Sequence, residues 1–92
     1  MSYKELLNEQ FRRRRAIIDA IEARKEADKP MPTLPELAAE TGIKLATVNK
    51  DMGILIGAGY ILVEKSGLRR LTRVMRLNPE KQYPREFNIE MI

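Results

Sequence analysis

The chain has 92 residues, a formal net charge of +4, and neither cysteine nor histidine. That length allows one domain with a small core, burying roughly 60 to 65 per cent of the unfolded chain's surface. The two missing residue types exclude a disulfide framework and thiolate chemistry, and with them most metal sites and most general acid-base catalysis at neutral pH.

No apolar run approaches the ~18 residues that span a bilayer, and the N-terminus lacks the apolar stretch of a secretory leader. A cytoplasmic protein without a cofactor is therefore expected. From Ser2 to about Asp28 the sequence lacks Gly and Pro and is rich in helix formers, which predicts one long helix over residues 1–28. Tyr3, Leu6, Leu7, Phe11, Ile17, Ile18 and Ile21 are its apolar positions. Those from Ile17 to Ile21 belong over the other helices. The earlier set extends the stripe by two or three turns, and two readings stay open: a helix-helix contact with a second copy, or a seat for the C-terminal tail.

Arg12 to Arg15 are consecutive, and on a helix four consecutive residues span more than a turn, so they point in different directions. Spacing pairs Arg13 with Glu9 and Arg15 with Asp19 on a solvated face. Lys29-Pro30-Met31-Pro32 ends the helix, because the residue before each proline is pushed toward extended backbone. Met31 is then placed to form a strand of one or two residues. Thr33 and Glu36 have the spacing of a capping box, with Pro35 in the first turn of the helix they start.

The stretch from Leu37 to Ile61 organises the rest. Gly42 supplies the left-handed conformation a tight turn needs, and Ile43 plugs the turn. Val48, Met52 and Leu55 recur at spacings of four and three, placing one stripe of the following helix against the preceding one. Its free side carries Lys44, Ala46, Asn49, Lys50 and Gly53. Gly53 in mid-helix costs about 1 kcal/mol relative to Ala, which points to a close approach by another backbone. Gly59 caps the helix end. A helix presented in this way is the element that enters a DNA major groove.

Leu37-Ala38, Gly42-Ile43, Thr47-Val48, Met52, Leu55 and Gly59-Tyr60-Ile61, in that order and spacing, resemble the winged helix-turn-helix of bacterial regulators. The resemblance is closest to the GntR and DeoR types, with MarR-like domains further off. It implies an α+β, mostly α, fold of three helices and a C-terminal β-hairpin wing, with the first helix extended here. The expected division is a domain over 1–77 (helix-turn-helix 33–59, wing 60–77) and a tail over 78–92. Two departures stand out: Lys44 replaces the usual Ser, Thr or Asn cap, and Ile54 and Ile56 replace charged residues.

The charge distribution agrees with a nucleic-acid partner. Between Thr41 and Leu77 there are seven basic residues against two acids, a local excess of five, while the rest of the chain sums to −1. Lys44, Leu45, Ala46, Thr47, Asn49 and Lys50 lie at the end of the helix that reaches base edges. Asn49 alone among them offers the paired donor and acceptor that match an adenine edge. Lys44 and Lys50 suit phosphates. Tyr60 to Val63 is rich in strand formers, Lys65-Ser66-Gly67-Leu68 provides a turn, and Leu71 to Leu77 returns. Arg69 and Arg70 at the hairpin tip are the expected wing contacts to DNA.

The tail carries two prolines yet ends in Phe87, Ile89, Met91 and Ile92, too apolar for simple disorder. No further segment for ligand sensing follows, so no small-molecule effector is expected. The leading expectation is a sequence-selective double-stranded DNA-binding protein, a homodimer acting as a transcriptional regulator or DNA accessory factor. The alternative is a protein-interaction module whose partner covers Leu7, Phe11, Ile54, Ile56 and Phe87. An enzyme is not expected, since the carboxylates are scattered and no Gly-rich loop cradles a phosphate.

Overall fold

A computed structural model describes residues 2–66 and 72–87. Three helices, α1 (Tyr3–Glu26), α2 (Leu34–Thr41) and α3 (Leu45–Gly57), precede a two-stranded antiparallel sheet of β1 (Ile61–Ser66) and β2 (Thr72–Leu77). The protein is thus α+β and mostly α.

Each helix boundary has a local cause. Ser2 caps α1 by accepting from the Glu5 amide. At its far end α1 stops before Pro30 is reached. Asp28 adopts φ 55°, and the Lys29 and Asp28 amides return to the Arg24 and Lys25 carbonyls. This is the double bond pattern of a Schellman stop, with an aspartate in the place glycine usually takes. The capping box at α2 forms as expected: Thr33 accepts from the Glu36 amide, and Glu36 accepts from the Thr33 amide. The Glu36 carboxyl is held below its usual range, chiefly by that Thr33 backbone amide.

Gly42 closes α2 at φ 73°, and Thr41 Oγ1 both donates to the Leu37 carbonyl and accepts from the Ile43 amide, fixing the turn into α3. Lys44 precedes α3 without any side-chain cap. Gly59, at φ 88°, lies one residue beyond the Ala58 cap. Its amide and that of Tyr60 return to Ile56 and Leu55, a second Schellman stop.

Ile17, Ile18 and Ile21 of α1, Leu37 of α2, Val48, Met52 and Leu55 of α3, and Ile61 of β1 form one core. The strand register pairs Ile61 with Leu77 and Val63 with Met75, so alternation sets Leu77 and Met75 on the core side and Arg76 on the other. Met31 packs on this core but forms no strand, contrary to the expectation. Pro30 and Pro32 on either side of it offer no amide hydrogens, so this segment has too few donors for a ladder.

The close approach expected at Gly53 is also absent: a Cβ built there meets nothing within 4 Å. Gly53→Ala should therefore stabilise the protein by about 0.5 to 1 kcal/mol through helix propensity and the stiffer unfolded chain. Gly42→Ala, at a left-handed position, should instead destabilise it by about 1 kcal/mol. Urea unfolding followed by circular dichroism measures both, and a destabilised Gly53→Ala would contradict the open space around that residue.

Candidate nucleic-acid interface

The arginine run does more than solvate a helix face. Arg13 grips Asp51 of α3 with two bonds, Nε to Oδ2 at 2.5 Å and Nη2 to Oδ1 at 3.0 Å. Arg14 adds Nε to Oδ1 at 3.2 Å. Arg13 thus turns to Asp51 rather than to Glu9. Asp51 itself is fully buried, the one charged residue among the buried side chains of the described residues. Arg15 does bind Asp19, at 2.7 Å, and also donates to the Tyr83 and Pro84 carbonyls, which ties the tail to α1. Arg12 stays exposed.

Burial pushes the Asp51 carboxyl up, but hydrogen bonding and charge from Arg13, joined by Arg14, outweigh it and hold the group below its usual range. Losing Asp51 would leave two partly desolvated guanidinium groups without their shared carboxylate. The sequence carried a signal for this cluster. Val48, Asp51, Met52 and Leu55 share one helical stripe, so Asp51 falls among core residues by spacing alone.

With that stripe turned inward, the opposite side of α3 is presented to solvent. Lys44, Ala46, Asn49, Lys50 and Gly53 are exposed there, Leu45 is 49% exposed and Ile54 39% exposed. Thr47 is half-buried at the edge of the face. Among the described residues, Lys44, Asn49 and Lys50 make no side-chain hydrogen bond or ion pair. Asp51 is the sole acid of α3 and is neutralised inside. The exposed face therefore carries only positive charge. Arg69 and Arg70 lie outside the described residues.

The side chains expected to meet a partner separate into two groups. Phe11 stacks on Tyr83 with centroids 5.4 Å apart and meets Phe87 at 5.7 Å, so the tail seats on α1 within one chain. Tyr60 adds an edge contact to Tyr83 at 5.0 Å. Ile56 packs against the core, and Leu7 is half-buried. Ile54 remains open, as do Tyr3 at 72% and Leu6 at 43% on the first turns of α1. The expected apolar end of the tail, Ile89, Met91 and Ile92, lies outside the described residues.

The tail also finishes α3. Lys81 Nζ donates to the Ala58 carbonyl and lies 5.0 Å over the Tyr60 ring, placing a cation at the negative end of the helix. Asn78 Nδ2 donates to the Gly59 carbonyl at 2.9 Å, and the Asn78 amide to the Tyr60 carbonyl at 3.0 Å. Sequence reading missed these contacts, because residues about twenty positions apart share no local spacing rule.

Set against protein families, curated proteins and solved structures, the chain matches none. No helix among the described residues is long and apolar enough to cross a membrane.

Asp51→Ala should cost about 2 to 3 kcal/mol, below the full penalty for a buried pair because Arg13 and Arg14 keep some solvent contact. The pH dependence has a definite sign. A carboxyl depressed in the folded state contributes stability above its unfolded value of about 3.8, and that contribution is lost as pH falls through the lower folded value. The stability gap between wild type and Asp51→Asn should then be constant near neutrality and narrow below about pH 4, as measured by urea titrations at several pH values.

Proposed function

We propose that this chain is a winged helix-turn-helix protein that binds double-stranded DNA selectively, as a small cytoplasmic transcriptional regulator or DNA accessory factor. The observation that carries the reading is the exposed side of α3. Its N-terminal half offers Lys44, Leu45, Ala46, Asn49 and Lys50 to solvent, with its only acid buried on the other side. The mechanism follows from that arrangement. α3 enters the major groove by its N-terminal end, Lys44 and Lys50 neutralise phosphates on either side, and Asn49 addresses a base edge. The β1–β2 hairpin that follows α3 would serve as the wing against the adjacent backbone, with Arg69 and Arg70, between the two strands in sequence, as the proposed phosphate contacts. No catalytic role is proposed.

A protein partner is the second reading, and it is favoured by Ile54, Tyr3 and Leu6, apolar side chains left open on α3 and α1. Such docking does not require counterion release, whereas neutralising phosphates does.

Fluorescence anisotropy on a labelled duplex across a salt series separates the two. Wild-type affinity should fall steeply with salt. Lys44→Ala/Lys50→Ala should lower the log-log slope by about two, roughly one for each phosphate contact. Absence of duplex binding at low salt would sink the DNA reading and leave the surface around Ile54 as the functional one.

A further inference from the structure

Leu45 is an apolar side chain placed where the proposed function needs a reader of bases. It opens α3, is about half exposed, and belongs to no part of the core. Ala46 beside it is exposed as well. Asn49 follows Leu45 by four residues, so the two stand one above the other on the same flank of α3, with about 5–6 Å between their Cβ atoms. Asn49 is exposed and spends neither its amide donor nor its acceptor on the described residues. Lys50 and Ile54 occupy the opposite flank, and Ala46, Gly53 and Gly57 run between the two. At Gly53 and Gly57 a built Cβ meets nothing within 4 Å.

The chemistry of this flank selects among base pairs. A side-chain amide matches the N6 donor and N7 acceptor of adenine, and an apolar side chain matches the C5-methyl group of thymine. Guanine's paired acceptors call for an arginine or lysine, and cytosine's amino donor for a carboxylate. The Leu45 and Asn49 flank has neither. The separation of the two side chains spans about one to two base steps, at ~3.4 Å per step along a strand. Resting on the DNA reading above, we infer that α3 reads an A·T-containing half-site, with Asn49 on an adenine and Leu45, flanked by Ala46, on a thymine methyl one or two steps away. The thymine methyl is thus part of the ligand, and the low charge of the flank is its means of selection.

The test uses the full chain. Duplexes are enriched from a random pool, and the preferred duplex is resynthesised with uracil in place of each thymine in turn, which deletes the methyl group and keeps the pairing. At one or two positions the substitution should weaken wild-type binding about fourfold, the worth of one buried methyl group. In Leu45→Ala the same substitution should matter less, because the contact is already gone. Asn49→Ala should relax the preference for adenine at a neighbouring position by about five- to a hundredfold. Both residues are exposed, so neither substitution disturbs the core. Salt-dependent binding that ignores uracil everywhere, or a preferred duplex with only G·C pairs in its central positions, overturns this inference and leaves DNA binding standing. Absence of binding to any duplex overturns both.

Discussion

The contact between Asp51 and the pair Arg13 and Arg14 is the constraint on which the orientation of α3 depends. A carboxylate that is fully buried is tolerable only with its oxygens occupied, and here the Arg13 fork takes both while Arg14 shares one. Apolar packing between α1 and α3 is non-directional and tolerates small rotations. The two-pronged bond does not, so it sharpens the orientation of α3 that the buried Val48, Met52 and Leu55 stripe sets. That is a statement about geometry rather than net stability, because the desolvation of three charged groups offsets much of their attraction.

The same geometry links packing to function. With the only acid of α3 drawn inside, Lys44 at its start and Lys50 have no ion-pair partner among the described residues. The local excess of positive charge read along the sequence becomes, on this face, a surface with no negative member. In the proposed DNA reading, Leu45 and Asn49 are the side chains of this face assigned to bases rather than phosphates. Ile54 on α3 and Tyr3 and Leu6 on α1 remain open, which gives a protein partner its place in the second reading.

The tail acts as a fourth element although its described residues form no helix or strand. Arg15 holds two of its carbonyls, Phe11 and Tyr60 hold its Tyr83 ring, and Asn78 and Lys81 bond to the end of α3. Burial raises the Tyr83 hydroxyl above its usual range, in keeping with its seat among the half-buried rings of Phe11, Tyr60 and Phe87. The tail therefore joins α1 to the junction between α3 and β1, where apolar packing alone is thin in so short a chain.

Sequence alone determined the features that obey local rules. The capping box at Thr33 and Glu36, the left-handed Gly42 and the Val48, Met52 and Leu55 stripe each follow from spacing or backbone sterics within a few residues. So does the pairing of Arg15 with Asp19. Tertiary structure decided what depends on partners far along the chain. Arg13 chose Asp51, thirty-eight positions away, over Glu9, one turn away, because a desolvated carboxylate binds a guanidinium more strongly than a solvated one. The same holds for Phe11, which met Tyr83 and Phe87 of its own chain, and for Gly53, whose surroundings proved to be open space. Periodicity assigns a residue to a face of its helix, but only the packed chain determines what lies opposite that face, since long-range contacts depend on how all the elements are placed at once.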